Sequence, residues 1–223
     1  MAIEIQFPNP NLADDEGLVA VGGNLSIEFL QAAYQQGLFP WYNEGDPILW
    51  WSPNPRMVLF PEEFKCSKSL QQIIRSKKYT IRTDTNFECV IENCSSVKRR
   101  GQKGTWIIKD VIEAYTRLYQ EGFAHSFETY RDNSLVGGLY GVSLGGAFFG
   151  ESMFFLERDA SKVALYYLVH VVREMNFSFI DVQQSTAHLK SLGARDMDRS
   201  EFLKVLKKAL QLPGMKGKWS YEF

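Results

Sequence analysis

Residues 177–183, Phe-Ser-Phe-Ile-Asp-Val-Gln, end an otherwise apolar run with a carboxylate and an amide two residues apart. Strand alternation puts Phe177, Phe179, Asp181 and Gln183 on one face, and Ser178, Ile180 and Val182 on the other. Burying an unpaired carboxylate is costly, so Asp181 must have a partner or line a cleft. It either caps the next helix or works with Gln183 to orient a substrate and accept a proton. Glu151 poses a similar question, because it stands among Phe148, Phe149, Met153 and Phe154. It is either exposed at a strand end or met there by something cationic.

Other chemistries fit less well. Gly150-Glu151-Ser152 begins like a nucleophile elbow, but Phe154 stands where that turn needs glycine. Asp181 and His188 follow Ser152 in the α/β-hydrolase order, but too closely for that fold. His125, His170 and His188 lack ligand spacing, and Cys66, Cys89 and Cys94 form no C-x-x-C pair, so no metal site is expected. His170 lies in an apolar helical pattern and reads as a core residue. Gly137-Gly138 and Gly145-Gly146 suit hairpins better than any phosphate loop.

The elements that must position these residues are legible in outline. Ser26 caps a predicted helix whose stripe is Ile27, Leu30, Ala33 and Tyr34, and Gly37 ends it. Prolines 53 and 55 keep the Trp-rich stretch that follows extended. The middle reads as two short helices, marked by Leu70, Ile73 and Ile74 and by Phe87, Val90, Ile91 and Cys94. A strand at 79–82 joins them. A helix over 110–120 follows, and then the hydrophobic period changes to two. Strands are predicted over 124–130, 135–142 and 147–155, with turns at Asp132-Asn133 and Gly145-Gly146. A long apolar helix over 159–175, the strand over 177–183, a short helix over 185–191 and a last helix capped at Asp198 complete the order. This is an α+β pattern, with a boundary expected at 103/104 in the Gly- and Lys-rich stretch.

Composition sets the outer bounds. The 223 residues are 45% hydrophobic and 23% charged, ordinary values for a globular chain. The net charge of −1 predicts no partner by itself, so local clustering must carry any nucleic-acid argument. No apolar stretch approaches the ~20 residues of a membrane span. Residues 1–10 lack an export pattern, so a cytoplasmic chain with reduced thiols and no membrane partner is expected. No sustained heptad appears, and a monomer is expected.

Two basic clusters stand out. One holds Lys65, Lys68, Arg75, Lys77 and Lys78; the other holds Lys98, Arg99, Arg100 and Lys103. Each is either a solvated face or a track for a nucleic-acid backbone. Three of the five tryptophans, Trp41, Trp50 and Trp51, lie within eleven residues. They either pack between elements or offer flat rings on which a base can stack.

The chain resembles the bacterial leucyl/phenylalanyl-tRNA–protein transferases. The resemblance rests on residues 17–23 (GLVAVGG), 39–41 (FPW), 48–53 (ILWWSP), 104–107 (GTWI), 124–126 (AHS), 135–142 (LVGGLYGV), 150–154 (GESMF), 160–162 (ASK) and 191–194 (SLGA). These recur in order along nearly the whole chain. Each is weak alone; together they are highly specific.

The resemblance implies transfer of Leu, Phe or Met from an aminoacyl-tRNA to proteins that begin with Arg or Lys, which creates a degradation signal. It implies a GNAT-like acyltransferase domain over 104–223 and a smaller, tRNA-contacting α+β domain over 1–103. It also implies catalytic roles for Asp181, Gln183 and Glu151, and places Trp41 near the tRNA 3′ end. The donor side chain would enter a pocket of Leu139, Phe148 and Leu168, with Met153 adjacent; Leu139 and Leu168 stand where a familiar relative carries Met and Phe. Lys65, Lys68, Arg75, Lys77, Lys78, Lys98, Arg99 and Arg100 are the candidate tRNA contacts. The ester is already activated, so no cofactor is expected. CoA-dependent GNAT enzymes carry a glycine loop for the pyrophosphate, and residues 155–160 contain no glycine. A CoA-dependent acetyltransferase and a non-catalytic binding module remain the alternatives.

Overall fold

The computed structural model describes residues 5–97 and 105–223. The chain begins with β1 (Leu18–Val21), α1 (Ile27–Gln35), β2 (Phe39–Pro40), β3 (Leu49–Trp51) and β4 (Arg56–Leu59). Next come α2 (Lys68–Arg75), β5 (Thr80–Thr83), α3 (Phe87–Ser96) and α4 (Lys109–Gln120). The remainder is β6 (Ala124–Arg131), β7 (Ser134–Leu144), β8 (Ala147–Phe155), α5 (Ala160–Glu174), β9 (Phe179–Gln183), α6 (Ala187–Ser191), β10 (Arg195–Met197) and α7 (Arg199–Ala209). The architecture is α+β, built on a three-stranded sheet in the order β1-β3-β2 and a seven-stranded sheet in the order β10-β4-β9-β8-β7-β6-β5.

Local chemistry accounts for many of the boundaries. The Ser26 hydroxyl accepts the Phe29 N–H and starts α1, and Ser67 does the same for α2 through Leu70. Asp132 and Asn133 both take positive φ in the β6–β7 hairpin, as a tight turn of that class requires. Asp198 caps α7 by accepting from the Ser200 N–H at 2.8 Å.

Alternation along the central strands feeds two cores, one on each face of the large sheet. Tyr140, Phe149 and Phe179 pack with residues of α1, α3, α4 and α7. Leu139, Phe148 and Ile180 pack with residues of α2 and α5. Phe177 lies with the second core, not with Phe179, because the strand begins at Phe179 rather than at 177.

The structure adds to two expectations and overturns a third. The division at 103/104 runs through one continuous sheet, because β4 pairs with β9 and β5 pairs with β6. Short edge and near-edge strands are recruited from the first half, where pattern alone does not reveal their distant partners. The Trp-rich stretch is a small antiparallel sheet, with β3 between β1 and β2. His170 is no core residue: it lies on the open face of α5, half exposed, 3.3 Å from Glu174.

Candidate active site

β8 and β9 are parallel neighbours for three pairs only: Ala147 with Phe179, Phe148 with Ile180, and Phe149 with Asp181. Beyond them the strands part. The register against β7 also slips here, pairing Gly141 with Gly150 and Tyr140 with Ser152, which leaves Glu151 as the extra residue of a β-bulge. Bulges of this kind re-aim a side chain.

The fork opens into a cavity of about 430 Å³. Trp41, Leu139, Glu151, Met153, Leu168 and Gln183, all singled out from the sequence, line it. Trp106, Leu165, Ile180, Thr186, His188 and Leu189 are among the other lining residues. Two of the catalytic and donor-pocket candidates do not line it. Phe148 is fully buried in the core on the α5 side, and Asp181 is fully buried behind the cavity wall.

Glu151 is held from three sides. Tyr34 on α1 donates to its Oε1 at 2.7 Å, Tyr115 on α4 to its Oε2 at 3.1 Å, and Gln183 Nε2 to its Oε1 at 2.9 Å. The Tyr34 and Tyr115 hydroxyl oxygens are 2.5 Å apart. Burial pushes the Glu151 carboxyl up to about 7; hydrogen bonds from the two tyrosines and Gln183 oppose the rise, and the nearby Asp181 charge adds to it. Burial also raises both phenols well above their ordinary range, so they remain protonated donors. His188 moves the other way: partial burial and the Lys162 charge lower its pKa, which favours a neutral ring.

Asp181 is bound differently. Arg56 Nε donates to its Oδ1 at 2.9 Å and Arg56 Nη2 to its Oδ2 at 2.6 Å, in a fork in which both side chains are fully buried. Oδ1 also accepts the Gln183 N–H at 3.0 Å. Gln183 takes a φ of 63°, a left-handed backbone that is strained for a residue other than glycine. The carboxylate that stabilises this turn therefore helps send the Gln183 amide toward Glu151.

The basic candidates lie elsewhere. Lys65, Lys68, Arg75, Lys77 and Lys78 are exposed on α2 and its flanks, and none lines the cavity. Lys78 is engaged by Glu157 at 3.1 Å and by the Tyr79 hydroxyl at 2.8 Å. Lys98, Arg99, Arg100 and Lys103 fall outside the described residues. Trp50 is fully buried and donates to the Gly22 carbonyl, while Trp51 donates to the Trp41 carbonyl at 2.6 Å and so braces the cavity-lining ring. Among the described residues, no group of three or more His, Cys, Asp or Glu side chains could hold a metal ion. No helix among them is long and apolar enough to cross a membrane.

Sequence reasoning missed Arg56, Tyr34 and Tyr115 as site residues. The tyrosines sit on apolar helical stripes, which read as core. Arg56 did carry a signal: a lone cation opening the apolar run Met57-Val58-Leu59 needs a buried partner.

The family model described as leucyl/phenylalanyl-tRNA protein transferase matches residues 58–207, and the model of that family's N-terminal domain matches residues 23–54. A leucyl/phenylalanyl-tRNA–protein transferase of Desulfatibacillum aliphaticivorans is 51% identical over 98% of this chain and 94% of its own length. One from Syntrophus aciditrophicus is 50% identical over 97% and 90%, and one from Legionella pneumophila 50% over 97% and 96%. Among solved structures, L-PGS from Bacillus licheniformis shares 12% identity, with a TM-score of 0.40 over 73% of this chain and 52% of its own. From the family model and these full-length relatives, the chain belongs to the leucyl/phenylalanyl-tRNA–protein transferase family.

Proposed function

We propose that this chain transfers Leu, Phe or Met from an aminoacyl-tRNA to the α-amine of proteins that begin with Arg or Lys. The observation that carries this reading is the two-sided cavity at the β8–β9 fork. Its apolar wall, Leu139, Leu165, Leu168 and Ile180, belongs to the core on the α5 side. Its carboxylate, Glu151, is held from the opposite side by Tyr34 and Tyr115. An apolar acyl side chain and a cationic acceptor suit these two walls.

The reaction balances without a further reagent. The acceptor nitrogen attacks the ester carbonyl, the peptide bond forms, and the bond to the terminal ribose oxygen breaks. The proton lost by the amine ends on that oxygen. A free α-amine has a pKa of about 8, so roughly a tenth is neutral at pH 7. The site must hold it about 3 Å from the carbonyl. We assign Glu151 to the acceptor's cationic side chain, Gln183 to the amine, and Trp41 to the 3′ end of the tRNA. Asp181 has both oxygens occupied and no exposure; its assigned role is to hold Gln183 rather than to remove the proton.

The order of a meander, α5 and a strand parallel to β8 supports a GNAT-like reading of the second half. Residues 155–160, which lead into α5, contain no glycine for a backbone cradle around a pyrophosphate, which argues against acyl-CoA. We also propose a division between residues 54 and 58, where the two family matches meet, and a tRNA path over α2. One chain supplies the whole cavity, which supports a monomer, and a tRNA donor supports a cytoplasmic protein.

The test incubates the protein with labelled Phe-tRNA and a peptide beginning with Arg. Label on the peptide is expected. Binding without product would make the chain a binding module, and transfer from acetyl-CoA instead would make it an N-acetyltransferase.

A further inference from the structure

We propose that Arg56 is a positioning residue of the transfer site: it fixes Asp181, and through Asp181 the turn that aims Gln183 at Glu151. The inference rests on the aminoacyl-transfer reading and adds to it a residue remote from the substrates.

Arg56 opens β4, and its side chain is fully buried. Its guanidinium holds both oxygens of Asp181, at 2.9 and 2.6 Å. It also donates to the Gly37 carbonyl, at 3.3 Å. Its Cζ lies 4.8 Å from the centroid of the Phe39 ring and 4.6 Å from that of Phe202. One side chain therefore ties together β9, the end of α1, β2 and α7. β2 leads directly into Trp41, which lines the cavity.

A planar fork, unlike a point charge, fixes the plane of the carboxylate it holds. That plane matters because Asp181 Oδ1 also accepts the Gln183 N–H, and Gln183 sits in a left-handed turn. If the carboxylate rotates, the turn loses its acceptor and the Gln183 amide loses its aim at Glu151, 2.9 Å away. Lysine at 56 keeps the positive charge but cannot hold both oxygens in one plane.

The pair also sets the charge behind Glu151. Tyr34 faces Glu151 from α1, Tyr115 from α4, and Asp181 and Gln183 from β9. Among these groups Asp181 is the other carboxylate, and the Arg56 guanidinium balances it in a buried ion pair. Without that balance, ionisation of Glu151 becomes harder.

The experiment compares the full chain with Arg56→Lys and Arg56→Met. It reads kcat, both KM values, the pH profile and the thermal melt, using Phe-tRNA and an Arg-initiated peptide. Arg56→Lys is expected to melt cooperatively and to lose ~10–100-fold in kcat, with both KM values within about threefold, as a misplaced reacting group requires. The acid limb of its pH profile stays in place. Arg56→Met should move that limb to higher pH. Asp84→Asn, which breaks the buried Asp84–His125 pair outside the cavity, is the control for reduced stability alone; it should lower the melting temperature and leave kcat and the limb unchanged.

A folded Arg56→Lys with the parent's kcat overturns the inference, as does a loss that falls wholly on KM. If Arg56→Met does not fold, Arg56→Lys decides. If Arg56→Lys does not fold, an Arg56→Met limb that stays in place overturns the inference. A parent protein that transfers nothing would sink the transfer reading itself, before any variant is compared.

Discussion

Gln183 Nε2 lies 2.9 Å from Glu151 Oε1, so a side-chain hydrogen bond rejoins β8 and β9 just beyond the point where their backbones part. This bond spans the mouth of the fork and brings an amide and a carboxylate to one spot on the cavity wall. The groups around it can be tested one at a time.

Glu151→Gln removes the charge offered to a cationic acceptor but keeps the shape. The acceptor KM for an Arg-initiated peptide should rise ~10–100-fold, the worth of a charge-assisted hydrogen bond. The KM for the tRNA should not move. Steady-state kinetics with each substrate varied in turn decides it, and an unchanged acceptor KM returns Glu151 to a structural role.

The same carboxyl ties stability to pH. Its folded-state pKa is pushed up to about 7, above the ordinary 4.5. Between those values the unfolded chain has released the proton that the folded chain still holds, so stability falls as pH rises. The contribution is complete below pH 4.5 and gone by about 7. Melting curves of Glu151→Gln and the parent should therefore diverge in the variant's favour from pH 4.5 to 7, then run parallel. A constant offset across that window would contradict the raised pKa.

Leu168→Phe narrows the apolar end of the cavity. The kcat/KM for Phe-tRNA should fall relative to Leu-tRNA by ~10-fold or more, since even one methylene in such a pocket is worth about 1–3 kcal/mol. Competition between the two labelled donors reads the ratio directly. An unchanged ratio would remove Leu168 from the donor pocket.

Lys68→Glu with Arg75→Glu reverses two exposed charges on α2. Binding of tRNA should weaken, and its salt slope should flatten by about one unit for each phosphate no longer neutralised. Filter binding between ~50 and 200 mM salt tests this. An unchanged slope makes α2 an ordinary solvated face. Lys78 is a poorer choice, because Glu157 and Tyr79 already engage it.

Much of the site was written in local pattern. The apolar alternation of residues 124–155 specified the meander, Ser26 and Ser67 specified helix starts, and Glu151 among phenylalanines announced a carboxylate in need of a partner. These features rest on backbone geometry and burial cost, which neighbouring residues set. The acidic and amide candidates at 151, 181 and 183 were found for the same reason.

Tertiary structure decided how those candidates divide the work. Phe39–Pro40 and Arg56–Leu59 do not specify which strands they pair with, because strand pairing between distant segments depends on the whole sheet. Tyr34 and Tyr115 read as core until their hydroxyls met Glu151. Asp181 and Glu151 look alike as sequence, each a carboxylate in an apolar strand. Packing sets one against a buried guanidinium and turns the other, at a bulge, into the cavity. That difference follows from where two chain-distant side chains come to rest, which periodicity alone does not encode.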